Sequence, residues 1–476
     1  MSTDRLTLSS INRNYALNKS KDNSEPPWFQ QMREDVFSKY DALPYEVSPL
    51  YSKYSDANKL RPEQVYLSQE RRVYKANSDL KGRIKELENE TGLLQIGPTI
   101  VESHIPEKFT KMGLLICDLS SAIKDHAELI KESMNRNNLD YAQDKFLSLA
   151  ASCFESGIFV YIPKNVIIDD NIRIINALPD DGSSSIARNM IFAEQGSKAT
   201  IVQEIYGSSN TLENVQQSYF EFLECHVGAN ANLEMVTIQA MNEKSCTNFS
   251  NRKGYIERDG RLSWYLALLG ARLSRYKVDS IMKGAGSSAE DVEIIFGVGD
   301  QSFDITSNLI HYGPSSRGRV LSKSVMKDSS KSLFKGMIKI GKEAVGTESF
   351  LAGHAVLLDK NAKSDAIPGL EIETNEVRAT HAASVAQIDE NQIFYLMTRG
   401  LGKDAAKREI VQGFLEPLSR KMGPTIRAWV NYLMESKWSG QPLMLKTDEA
   451  MEQMLEVEKS RYREVEDIFE KHYKYR

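Results

Sequence analysis

The sequence predicts a mainly β chain with helical ends, built around a right-handed parallel β-helix core flanked by N-terminal and C-terminal α-helical regions. From Ile158 to about Val385, short β-branched and aromatic runs follow one another with no helical period. The turns between them share one texture, a Gly or Asn followed by small polar residues and then a strand, as in Gly196-Ser-Lys-Ala-Thr, Gly228-Ala-Asn-Ala-Asn and Asn361-Ala-Lys-Ser-Asp. Gly196, Gly228 and Gly260 recur every 32 residues, an interval suited to stacked coils. A large antiparallel sandwich would also give about ten short strands. It would need more hairpin signals than Asp181-Gly182 and Asp259-Gly260.

Residues 1–155 read as helical and loop-rich. A helix over Gln69–Thr91 places Val73, Leu80, Ile84 and Leu87 at helical steps. Tyr141–Phe154 sets Phe146, Leu147, Leu149, Ala150 and Phe154 on one face, and Gly157 closes that pattern. The β-helix core then spans 156–386, with strand pieces such as Thr200–Ile205, Ser218–Leu223, Leu233–Ile238, Val292–Phe296 and Asp304–His311. Helical period returns in a domain of 387–436. There Asp389 is placed as an N-cap with Gln392 three residues on, and Gly400 stops the helix. Ile393, Phe394, Leu396 and Met397 supply its apolar face, with Phe394 expected in the core. A second helix, Lys403–Met422, carries Ile410, Val411, Phe414, Leu415 and Leu418; a third, Pro424–Ser436, carries Ile426, Trp429, Val430 and Leu433. Residues 437–476 form a charged extension. Its helix, Asp448–Tyr473, has a broken apolar stripe and a solvated charged face.

A length of 476 residues is enough to bury a large core. A net charge of -5 gives no overall electrostatic reason to expect nucleic acid or an anionic membrane as partner. The richest apolar run, Trp264–Ala271, is far shorter than the roughly 20 residues of a membrane span. The N-terminal segment is polar and lacks an apolar signal core, so a cytoplasmic protein is expected. Cys117, Cys153, Cys225 and Cys246 come no closer in sequence than 21 residues. One turn therefore cannot supply two of them as ligands, unlike the close Cys pairs of self-contained iron–sulfur or zinc sites. Gly336-Met-Ile-Lys-Ile-Gly341-Lys342-Glu343 fits seven positions of a phosphate-binding loop. Glu343, where a Ser or Thr would bind Mg²⁺, and the strand-like interior argue against nucleotide binding there.

The passage from Asp365 to Leu401 contains Pro368, Leu370, Glu371 and Ile372, then Val377, His381 and Ala383, then Asp389, Glu390, Gln392, Phe394, Tyr395, Leu396, Arg399 and Gly400. In order and spacing it resembles the SufB/SufD family, the scaffold subunits of SUF iron–sulfur cluster assembly. Glu25–Leu43 with Pro44 is similar to the family's opening, and the likeness fades after about Ser436. The resemblance implies a β-helix scaffold without catalytic turnover, partnered by a SufB-type subunit or by a second copy of itself, and by a SufC-type ATPase that grips the C-terminal helices. Tyr395 and Arg399 are the expected exposed anchors for that ATPase. It also implies that His381 lies at the scaffold interface and serves as an iron ligand for a transient cluster, with the partner supplying the others. Stacked coils would bring His354 near it. Where the SufB branch carries carboxylates beside this histidine, Thr380 and Ala382 stand here, and Gly353-His354 occupies the region of the SufB cysteine. That departure points to the SufD branch. The resemblance leaves a bound flavin open, although no residue pattern in the sequence supports one. A β-helix carbohydrate-active enzyme, the rival class, needs clustered carboxylates on one strand face and usually a secretion signal, and neither is evident.

Overall fold

The computed structural model describes residues 6–68, 73–137, 139–208, 212–441 and 443; the expected Asp448–Tyr473 helix lies outside them. Two long sheets of ten and nine strands face each other, and from Ile158–Ile162 onward strands consecutive in sequence alternate between them. Such alternation is a solenoid of about eight turns, each coil giving one strand to each sheet. Apart from the antiparallel pairs Thr91–Ile96 with Thr99–His104 and Leu115–Asp118 with Ile158–Ile162, pairing along the axis is parallel and in constant register, so Thr247, Leu273, Ser302, Lys331 and Lys363 form one row.

One corner explains how the coils turn. Gly196, Asn230, Asp259, Gly286, Ser315 and Gly346 all have left-handed φ, between 54° and 74°. The amide of each donates to a carbonyl of the next coil, as from Asn230 to Arg258 and from Asp259 to Ala285, both at 2.9 Å. Gly, Asn and Asp tolerate this conformation best because they lack a Cβ or can bond locally.

The lumen is filled by one stacked apolar cluster running from Leu93 through Leu233, Trp264 and Ile305 to Leu351. N-terminal helices cover the nine-stranded sheet, where Phe146 meets Phe220 and Phe249. C-terminal helices cover the ten-stranded sheet through Val411, Leu415, Trp429 and Leu433. Lys437 anchors the last helix. It is buried, donates to the Leu269 carbonyl and to Gln301 at 2.7 Å, and sits 3.1 Å from Glu243. Burial lowers its pKa to about 8.

The N-terminal region departs from expectation. The helix placed over Gln69–Thr91 spans Ser78–Leu87, and Thr91–Ile96 is a strand parallel to Ile172–Ala177. Gly92 is the physical reason for the switch: a Cβ there would lie 2.0 Å from the Arg173 carbonyl oxygen, so only glycine permits the pairing. With Thr99–His104 and Leu115–Asp118, the first 155 residues supply three strands that begin both sheets.

Asp291 and Glu293 face the lumen from one strand, both buried, and among the described residues neither forms an ion pair. Burial raises both carboxyl pKa values, Glu293 to about 7, and the neighbouring Glu293 charge raises Asp291 further. A carboxyl with a raised folded pKa favours the folded state only while protonated. Stability should therefore fall as pH rises from near the unfolded value of 4.5 through about 7. Glu293→Gln is expected to raise the melting temperature at about pH 8 and to flatten its dependence between about pH 5 and pH 8. Thermal denaturation across that range checks this; an equal loss at every pH would remove the proton-holding role.

Candidate functional site

Among the described residues, nothing covers one end of the solenoid. Lys363–Ile372 ends the nine-stranded sheet and Arg378–Gln387 ends the ten-stranded one, and no described residue pairs with either outer edge. Arg378–Gln387 is mostly exposed and Lys363–Ile372 is half-buried to exposed, in contrast to the largely buried strands behind them, and Leu370, Ile372 and Val385 are exposed apolar residues on them. Pro368 belongs here because a strand edge facing solvent has no use for the donor that proline lacks. Unpaired sheet edges recruit further strands.

His381 lies on this last coil, exposed, in register with Leu351 of the coil behind. Leu351 is part of the lumen cluster, so His381 continues a lumen row to the open end. His354 pairs in register with Ser384, and its Nδ1 lies 2.7 Å from Ser384 Oγ. Burial lowers the His354 pKa, and the nearby Lys323 charge lowers it further, so it is neutral near pH 7. The two histidines are therefore not brought together. They differ by three register positions, roughly 10 Å along the strand, and by an odd number, which puts them on opposite faces.

Gly353 confirms the absence of a thiol in this region. A Cβ there would lie 2.3 Å from Phe334 Cδ1, so any side chain would have to displace that ring. The four cysteines are elsewhere. Cys153, Cys225 and Cys246 are buried, and Cys117 lies on Leu115–Asp118 at the opposite end of the nine-stranded sheet. Burial holds all four as thiols, raising Cys117 to about 11 and Cys153 and Cys246 to about 12. Among the described residues no three His, Cys, Asp or Glu side chains gather to hold a metal ion. His381 could therefore only be a partial ligand set.

Beside the open end, the helix Glu390–Thr398 begins at Asp389, whose Oδ1 accepts from the Asn391 amide at 2.8 Å. Only Ile393 of its apolar residues is fully buried. Phe394, expected in the core, is 68% exposed and Tyr395 is 56% exposed, with Met397 also exposed. The reason is geometric: a short helix lying on one face buries about one residue per turn, and Ile393 takes that position. Arg399 donates to Tyr395 Oη at 3.2 Å and its guanidinium lies 5.2 Å from that ring. Tyr395 and Arg399 are thus exposed together, as expected. Phe394 and Met397 were the missed members of this surface, signalled only by the excess of apolar residues over what one helix face can bury.

No described helix is long and apolar enough to cross a membrane. Residues 175–414 match the SUF system FeS cluster assembly SufBD core domain, and residues 16–174 match the SufBD protein N-terminal region. The iron-sulfur cluster assembly protein SufD of Bacillus subtilis is 26% identical over 422 residues, covering 87% of this chain and 95% of that protein. An iron-sulfur cluster assembly SufBD family protein of Staphylococcus epidermidis is 25% identical over 341 residues, 72% of each chain. With the solenoid, the uncovered last coil and the missing thiol, these matches make the chain a SufD-like member of the SufBD family of iron–sulfur cluster assembly proteins.

Proposed function

We propose that this chain is a non-catalytic scaffold subunit that joins a SufB-type scaffold through its last coil and a SufC-type ATPase through the Glu390–Thr398 helix. The carrying observation is the open end of the solenoid, where two unpaired sheet edges, exposed apolar side chains and His381 coincide. A second scaffold adding strands there would bury those edges and surround His381 with its own ligands. The nascent cluster is cargo held between subunits, because this chain contributes no thiolate. Nucleotide-driven closure of the ATPase would pull on the C-terminal helices, which pack on the same sheet that ends in Arg378–Gln387.

The decisive variant is His381→Ala in the reconstituted complex. Because His381 is exposed, the melting temperature of the chain and its assembly with partners should hardly change, with stability within about 0.5 kcal/mol. Cluster yield, read by absorption and iron counting, should fall severely. His354→Ala is the control and should leave the yield near normal, since it loses only its contact with Ser384. Normal yield in His381→Ala would return that histidine to a structural role. A homodimeric scaffold is the second reading, favoured by the same edges because one copy could pair with another about a two-fold axis. Sedimentation of the chain alone and with a SufB-type subunit separates the two.

A further inference from the structure

Away from the open end, the connection 58–64 crosses the stacked corners of the solenoid and encloses a cavity of about 620 Å³. Three hydrogen bonds pin it there: Gln216 Nε2 to the Lys59 carbonyl at 3.2 Å, the Arg61 amide to Gln216 Oε1 at 2.7 Å, and the Gln216 amide to the Gln64 carbonyl at 2.9 Å. Among the described residues the cavity wall carries five cations, Lys59, Arg61, Lys244, Arg272 and Lys331, against one carboxylate, Asp300. Arg272 is bound to Asp300 at 2.6 Å, and Lys59 to Asp56 and Ser302, each at 2.8 Å. Arg61, Lys244 and Lys331 make no ion pair among the described residues. Lys331 feels the Asp56 charge without contacting it.

Collecting uncompensated cations in one concavity is unfavourable unless an anion enters, and this chain is acidic overall at -5. The row from Thr247 through Leu273 and Ser302 to Lys331 crosses three strand spacings, about 14 Å. That length exceeds a single phosphate and suits a short chain of them. Among the described residues no aromatic ring lines the cavity to stack a base, so recognition falls on the phosphates.

We propose that this cavity binds a linear polyphosphate group, either free or carried by a nucleoside. The site is independent of the scaffold reading above. Isothermal titration of the full chain with sodium tripolyphosphate, without Mg²⁺, should give one saturable site per chain that weakens with added salt. Pyrophosphate and then inorganic phosphate should bind progressively more weakly. ATP and GTP binding as tripolyphosphate does would assign the phosphate chain alone, and tighter binding of either nucleotide would assign a nucleoside polyphosphate. The double variant Arg61→Ala with Lys331→Ala should lose at least about tenfold in affinity with an unchanged melting temperature in the absence of ligand. Arg317→Ala, a cation elsewhere on the surface, should bind normally. Absence of saturable binding, several sites per chain, an unaffected double variant, or tighter binding of single-stranded RNA than of tripolyphosphate would each overturn the proposal.

Discussion

Replacing Arg33 with alanine should destabilise the folded chain by about 3–5 kcal/mol, the usual result of stranding one member of a buried ion pair. Arg33 and Glu25 are both fully buried. Arg33 Nε donates to Glu25 Oε2 at 2.8 Å and Nη2 to Oε1 at 2.7 Å, a bidentate fork that only a guanidinium supplies. Its remaining nitrogen, Nη1, donates to the carbonyls of Ser152 and Phe154 at 2.8 and 3.1 Å, satisfying the end of the helix Lys145–Cys153. The guanidinium also lies 3.7 Å from the Phe154 ring centre. Alanine removes all of this at once and, among the described residues, leaves the Glu25 charge with only Ser20 and Asn23 as donors. Arg33→Lys should recover part of the loss, because a lysine reaches the carboxylate but cannot bridge it and both carbonyls. Urea unfolding reads the difference, and a loss below about 1 kcal/mol would mean that the pair is solvated or replaceable.

Glu25 and Arg33 illustrate what was legible. Both stood inside the opening segment that resembled the family, yet nothing in the sequence revealed that they meet each other or clamp the helix before the first long coil. That contact depends on a turn at Ser24, whose φ is 51°, and on a helix more than a hundred residues later. The solenoid was legible because its strands lack helical period and its turns repeat. Its true corner was not, since the left-handed position passes from Gly196 to Asn230, Asp259 and Ser315. A glycine count follows only some of the coils. The strand Thr91–Ile96 was hidden for a similar reason: helical spacing upstream carried through Leu87, and the parallel partner Ile172–Ala177 lies about eighty residues away. At the candidate site, His381 was marked by its motif, but its separation from His354 follows from register, which a one-residue slip would invert.

Phe394→Asp should weaken association with a SufC-type ATPase by about 30-fold or more, the measure of losing an aromatic anchor worth about 2 kcal/mol. The ring is 68% exposed in the isolated chain and stands beside exposed Tyr395 and Met397 on a helix already fixed by its Asp389 cap and by Ile393. Because Phe394 contributes little to the core, the substitution should leave stability within about 0.5 kcal/mol, so weakened association cannot be blamed on unfolding. An aspartate removes apolar area and places a charge that docking would have to desolvate. Arg399→Glu should act differently. It breaks the contact with Tyr395 Oη and reverses a rim charge, so its effect should be smaller, carried mainly by the association rate, and reduced by salt. Titration of the ATPase against both variants at two salt concentrations distinguishes an apolar anchor from a charged rim. If Phe394→Asp binds as tightly as the parent chain, the Glu390–Thr398 helix is not the docking surface proposed for it.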